Sequence, residues 1–243
     1  MPAILIVRPE NRLSADLALC AEYGWQGVPF APLAVVPLPA ALRRLPDALG
    51  RAEAAVWVSP TAVELAGSLK TFSIPHIAVG RATADALRRA GAAHAICPET
   101  GNDSEAVRRL EIWNRLKTGA RVLIVRGEGG RNWLSERLYE SGFAIRHIEI
   151  YRTAEQDLDW TLFQAACACA AWVPSSAAVV GLFRQTPPAL MQTVQSLLYF
   201  THHPRIGGTL RTLGAQHIRQ VSDLRSALQS ADAADLFPYG VSP

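Results

Sequence analysis

The sequence predicts an α/β fold of two similar lobes, each a parallel sheet flanked by helices. Three observations predict it. The first is an internal repeat. Residues 4–33 read ILIVRPENRLSADLALCAEYGWQGVPFAPL and residues 122–151 read VLIVRGEGGRNWLSERLYESGFAIRHIEIY. Ile6, Val7, Arg8, Glu10 and Gly24 match Ile124, Val125, Arg126, Glu128 and Gly142 at one constant offset. The second is that each copy opens on an unbroken apolar run rather than an alternating one, which is how a strand reads when both faces of its sheet are covered. The third is bulk composition: 243 residues, 49% apolar and 19% charged, carry enough apolar surface for one large domain or two modest ones.

The elements follow in order. Met1–Arg8 has no basic stretch ahead of an apolar segment, so it reads as the first strand of a mature protein rather than as a signal peptide. A polar turn, an amphipathic helix of about 12 residues stopped at Gly24 and a further apolar run complete a βαβ unit. Pro29–Pro39 (PFAPLAVVPLP) carries four prolines and reads as an extended connector. Ala54–Pro60 (AAVWVSP) resembles Cys169–Ser175 (CAAWVPS), a strand running into a helix start in each half. HIAVGRATADALRRAG (76–91) aligns with LYFTHHPRIGGTLRTLG (198–214), Gly91 against Gly214. A last strand and helix close each half, His94–Cys97 with Asp103–Leu116 and His217–Gln220 with Ser222–Gln229. Ser104-Glu105 and Ser222-Asp223 place acids in the first turn, where the helix dipole favours them. Ile150–Asp157 occupies in the second copy the place of the proline-rich connector in the first. The repeat is satisfied either by a single cut near Gly119 or by a chain that crosses between lobes at both connectors.

Charge and cysteine usage exclude several functions. Lys and Arg total 24 against 21 for Asp and Glu, with no basic cluster, so no nucleic-acid surface is expected. Apolar segments such as Ala165–Val173 fall far short of the roughly 20 residues of a membrane span. Cys20, Cys97, Cys167 and Cys169 lack zinc spacing, and the six histidines form no HExxH pair. No metal site is expected, and the thiols read as free cysteines of a cytoplasmic chain.

Ligands of open α/β sheets bind outside the carboxyl ends of the strands, where helix N-termini offer free N–H groups. Arg8 and Arg126 each end an apolar strand; each either contacts a carboxylate or phosphate or pairs with its neighbour, Glu10 or Glu128. Gly127, with Gly129 and Gly130, suits anion binding, but GxxxxGK[ST] and GxGxxG are both missing, which disfavours nucleotides. Ser59, Thr61, Ser175 and Ser176 are either helix N-caps or a matched set of ligand donors. No GxSxG elbow surrounds them, so a nucleophilic serine is not expected. His203 lies at a predicted strand end, and Tyr151 begins the second connector, packed at an interface or presenting its phenol to a ligand.

The motifs together resemble the uroporphyrinogen-III synthase family: Val7-Arg8-Pro9, WVSPTAV (57–63), AVGRATADALRRAG (78–91), VLIVRGEGGRNWLSERLYESG (122–142) and IEIYRT (148–153), in order and spread from residue 4 to about 229. The resemblance implies a discontinuous first lobe, residues 1–36 and 153–243, and a second lobe, residues 37–152, joined by a two-stranded connector. It implies a monomer that acts without a cofactor on hydroxymethylbilane, a linear tetrapyrrole polycarboxylate, to lose water, close the ring and invert the last pyrrole. The residues alone leave open an alternative, a non-catalytic module for a small anionic solute. Carried over position by position, the family's tyrosine falls on Tyr151, the candidate proton donor to the departing hydroxyl. Phenols titrate at about 10 and keep their proton at neutral pH. Ser59 and Thr61 match the first-lobe serine motif, Gly80, Arg81 and Thr83 the glycine-threonine loop, and Ser175 and Ser176 the corresponding second loop. The chain departs from the pattern at Val173-Pro174, where a Thr-Ser pair is usual. It departs again at Thr201–Ile206 (THHPRI), where His203 and Arg205 stand in the second glycine-threonine loop.

Overall fold

The apolar runs that open the two repeat copies become interior strands of two separate sheets. The computed structural model describes residues 1–9, 13–101 and 103–230. It divides into one unit of Met1–Val35 with Ala154–Pro243 and another of Val36–Thr153. In the first unit the strands are β1 (Ala3–Ile6), β2 (Gln26–Pro29), β9 (Ala170–Trp172), β10 (Leu198–Thr201) and β11 (His217–Gln220). They pair in the order β11-β10-β9-β1-β2, all parallel. The other sheet holds β3 (Leu33–Pro37), β4 (Ala54–Trp57), β5 (His76–Ala78), β6 (Ala95–Ile96), β7 (Arg121–Gly127) and β8 (Ala144–Glu155), ordered β3-β8-β7-β4-β5-β6. Its pairs from β8 to β6 are parallel.

Unbroken apolar strands are satisfied because each sheet is covered twice. In β1, Ile4 and Ile6 pack with α1 (Leu13–Glu22) and α12 (Leu224–Ser230). Leu5 and Val7 turn to the other face, toward α8 (Trp160–Ala166), α9 (Ser176–Gln185), α10 (Met191–Ser196) and α11 (Pro204–Thr212). In the second sheet Ala55, Trp57, Leu123 and Val125 face α2 (Pro39–Gly50), α3 (Pro60–Ala66) and α4 (Arg81–Arg89). Ala54, Val56, Val122 and Ile124 face α5 (Ser104–Arg108), α6 (Ile112–Arg115) and α7 (Trp133–Glu140). Ile4, Ile6 and Leu5 have no exposed surface, and each such burial contributes about 1.5–3 kcal/mol. The matched glycines Gly24 and Gly142 follow α1 and α7 at φ +73° and +88°, a left-handed conformation that ends a helix at little cost only when no Cβ is present.

The proline-rich connector is more ordered than its composition suggests. It supplies β3, an edge strand, which suits residues that cannot donate to a ladder. The Leu38 N–H donates to Ile150 O at 2.9 Å and the Gln156 N–H to Pro32 O at 3.1 Å, so β3 runs antiparallel to β8. The passages between units, at 35/36 and 153/154, fall within these two strands.

Two expected helices are corrected. Asp103–Leu116 is not one helix but α5 and α6. The Trp113 indole N–H donates to Val107 O at 2.8 Å and so takes the carbonyl that a continuing helix would give to the Glu111 N–H. The helix expected over Ser222–Gln229 begins at Leu224, and Asp223 precedes it as a cap, its carboxylate accepting the Ser226 N–H at 2.8 Å. That contact lowers the Asp223 pKa. Among the described residues no helix is long and apolar enough to cross a membrane.

Candidate active site

Parallel order places the carboxyl ends of β8, β7, β4 and β5 side by side, and the second unit's predicted residues lie along that edge. After Trp57 the chain leaves β4 in an extended conformation at Ser59, which caps α3 by accepting the Ala62 N–H at 3.1 Å. Pro60 at the first helical position needs no such partner. The Ser59 hydroxyl lies 2.9 Å from the Tyr151 phenolic oxygen, with either able to donate.

Tyr151 reaches Ser59 because β8 carries a bulge. The β7–β8 register runs Val125 opposite Ile148 and Arg126 opposite Glu149, then skips to Gly127 opposite Tyr151. The extra residue puts two consecutive side chains, Ile150 and Tyr151, on the same side of the sheet, where both pack on the α2–α4 core. Gly127 accommodates the ring. A Cβ there would stand 2.6 Å from Cε2 and Cζ of Tyr151 and 3.0 Å from its oxygen. The absent side chain at Gly127 is therefore part of how the phenol is placed.

The remaining residues of this edge divide by exposure. Gly80 caps α4 in an extended conformation, and Arg81 is exposed, donating to Glu99 O at 3.3 Å. Thr83 is buried within α4, and Thr61 is half-buried in α3. Arg126 turns into its own loop. Its Nε and Nη2 donate to Glu149 Oε1 at 3.2 and 3.0 Å, and Nη1 lies 3.0–3.2 Å from Gly130 O, Arg131 O and Asn132 Oδ1. Its ionic partner is Glu149, not the sequence neighbour Glu128. Glu149 is a residue that sequence reasoning missed, although a lone acid within the apolar run IEI, opposite the arginine that ends the apolar run of the paired strand, is the signature of a cross-strand pair.

In the first unit, β1, β9 and β10 are adjacent and their carboxyl ends carry Arg8, Ser175 with Ser176, and His203. Arg8 pairs with Asp16 at 2.6 Å; Glu10, its expected alternative, lies outside the described residues. Ser175 caps α9 through the Ala178 N–H at 3.1 Å, as Ser59 caps α3. The Ser176 hydroxyl is buried with no hydrogen-bond partner. His203 caps α11, its Nδ1 accepting the Arg205 N–H at 3.1 Å, and the Arg205 side chain is exposed.

Comparison with known proteins bears on this arrangement. Among solved structures, the chain is similar to uroporphyrinogen-III synthetase from Helicobacter pylori, at 15% identity over 94% of this chain and 97% of that one, with a TM-score of 0.63. It is also similar to a mutant uroporphyrinogen III synthase from the extremely thermophilic bacterium Thermus thermophilus, at 18% identity over 94% and 96%, with a TM-score of 0.58. At such identities these likenesses establish the α/β fold. The sequence model described as Uroporphyrinogen-III synthase HemD matches residues 14–226, most of both units. With its glycine-threonine loop, capping serines and bulged tyrosine on that frame, the chain belongs to the uroporphyrinogen-III synthase family.

Proposed function

We propose that this chain converts hydroxymethylbilane into uroporphyrinogen III without a cofactor, and that Tyr151 delivers the proton that lets the terminal hydroxyl leave. Family membership supplies the reaction; the hydroxyl pair of Tyr151 and Ser59, seated over Gly127, is the observation that carries the residue assignment. The electron-rich terminal pyrrole expels its hydroxyl as water once that oxygen is protonated, which leaves an electrophilic azafulvene. Attack on it closes the ring, and a spirocyclic pyrrolenine is the intermediate through which the last pyrrole inverts. A proton then leaves the substrate, so the net loss is one water.

Ser59 accepts from the Ala62 N–H and has its own proton to give. When Ser59 donates to the Tyr151 oxygen, the phenolic proton is free to point at a ligand. The fixed ring supplies position, and positioning is what a substrate able to close without inversion requires. Small loops, hydroxyls and Arg81 along the strand ends suit a polycarboxylate better than a single basic patch would, in keeping with a net charge of only +3.

The test is product analysis. Purified protein given enzymatically made hydroxymethylbilane and no added cofactor is expected to yield the type III isomer; type I alone from folded protein would overturn the reading. Tyr151→Phe is expected to fold normally and to turn over at least about tenfold more slowly. The working state we assign is a cytoplasmic monomer, and sedimentation equilibrium is expected to return the mass of one chain.

A further inference from the structure

Four buried side-chain polar atoms among the described residues have no hydrogen-bond partner: His147 Nδ1, Trp172 Nε1, Ser176 Oγ and Thr201 Oγ1. Native folds leave few such atoms, and each asks for an explanation. Three of the four lie at the carboxyl ends of two adjacent strands, β9 and β10, in the first unit. Trp172 is the most informative of them. It is 5% exposed, and an indole N–H is a donor only, so nothing but an acceptor can satisfy it.

The surroundings of Trp172 say what kind of acceptor. Ile6, opposite Trp172 in the register, shares its packing cluster with α1, and Arg8, just past the end of β1, reaches Asp16 on that same helix. Arg8 gives one Nη1 contact to Asp16 and keeps further N–H groups. From the next strand, the exposed His202 lays its ring 6.1 Å from the Trp172 ring, centroid to centroid. Partial desolvation of the ring and the neighbouring His203 and Arg8 all lower the His202 pKa, which favours the neutral imidazole with a proton to offer from one nitrogen. Three adjacent strand ends thus present a guanidinium, a buried indole N–H and an imidazole on one face.

We propose that Arg8, Trp172 and His202 form a subsite for one carboxylate of the substrate, with the Trp172 N–H donating to a carboxylate oxygen. The subsite rests on the synthase reading, which supplies a polycarboxylate ligand. A carboxylate fits because it is planar, accepts only, and pairs with both a guanidinium fork and a single N–H. Trp172 and His202 act here as binding and positioning residues, distinct from the proton-donating Tyr151.

The experiment uses the full chain labelled with ¹⁵N-tryptophan and titrated with uroporphyrinogen III under reducing conditions. The Trp172 indole resonance, identified by its loss in Trp172→Phe, is expected to shift on binding. Trp172→Phe is expected to weaken binding about tenfold, the loss of one hydrogen bond to a charged acceptor, with its melting temperature retained. His202→Gln, which alters an exposed ring and leaves the core untouched, is expected to weaken binding less while still moving the Trp172 resonance. If ligand binds and substrate is turned over while the Trp172 resonance stays put and both variants bind as wild type, the subsite is overturned and the synthase reading stands. Folded protein that neither binds nor converts overturns both.

Discussion

At the scale of single residues, the proposed role of Tyr151 depends on a side chain that is absent. Gly127 lets the Tyr151 ring lie where a Cβ would come within 2.6 Å of it. Gly127→Ala is therefore expected to displace the phenol from Ser59 and to slow turnover by on the order of 10–100-fold, the scale of a misplacement near 1 Å. Circular dichroism should stay native, because the φ of this glycine is not in the left-handed region. Ser59→Ala makes a useful contrast. It removes the helix cap, costing about 1 kcal/mol, together with the partner of Tyr151. Turnover in Ser59→Ala is expected to fall less than in Tyr151→Phe, since the phenol itself is retained. Equal activity of Gly127→Ala and wild type would show that the ring position is immaterial. Tyr151 was legible as a candidate through the family motif, but the reason for Gly127 was not. A glycine in a GEGG run reads as an anion loop, and only the register shows that it faces an aromatic ring.

At the scale of elements, the β7–α7 loop is held from within by one arginine. Arg126 spans from Glu149 on β8 to the backbone at residues 130 and 131 and the Asn132 side chain, and its own side chain is 11% exposed. Glu149 is partly exposed at 36%, so the ion pair is partly screened and removing the guanidinium is expected to cost about 2 kcal/mol, less than a fully buried pair would. Arg126→Lys should not restore it, because an ammonium on a flexible stem cannot replace a planar fork with contacts on both sides. Urea unfolding of Arg126→Met and Arg126→Lys is the check, and a lysine variant as stable as wild type would refute the fork. Sequence alone offered two roles for Arg126, ligand contact or pairing with Glu128, and neither names Glu149. The interior strands β1, β4, β7, β9 and β10 were legible as apolar runs because both of their faces are buried. The β8 bulge was not, because one added residue in an apolar run leaves no compositional trace. The split of Asp103–Leu116 escaped for a related reason: a single indole contact overrides helical periodicity.

At the scale of the whole molecule, the repeat made two covered sheets legible but could not say which strands share a sheet, since pieces exchanged between similar halves still look repeated. The shared chemistry of the two units nonetheless has a global consequence for acid stability. His76, with no exposed surface at the start of β5, accepts the Trp57 indole N–H at its Nδ1, 3.0 Å away, and its Nε2 lies 3.3 Å from Phe72 O. Nδ1 must therefore be unprotonated, and Nε2 carries the proton. Burial lowers the His76 pKa, and partial desolvation does the same for His147, beside Arg126, and for the more exposed His202, beside His203 and Arg8. A histidine whose folded pKa is depressed binds its proton more readily when unfolded. Its cost is absent above the unfolded value of about 6.5 and grows as pH falls toward the folded value. Below about pH 6.5 the unfolded chain takes up protons that the native chain refuses, and stability falls by up to about 1.4 kcal/mol per pH unit for a fully buried histidine. For His76 the loss has a structural counterpart, because protonation of Nδ1 would set two donors, imidazolium and indole, against each other in the core. Denaturant unfolding between pH 7.5 and 5 is expected to show this decline. His76→Gln keeps an acceptor for Trp57 but cannot titrate, so its curve should be flatter than wild type whatever its stability at neutral pH. Parallel curves for the two proteins would remove His76 as the source of the acid sensitivity and leave it to His147 and His202.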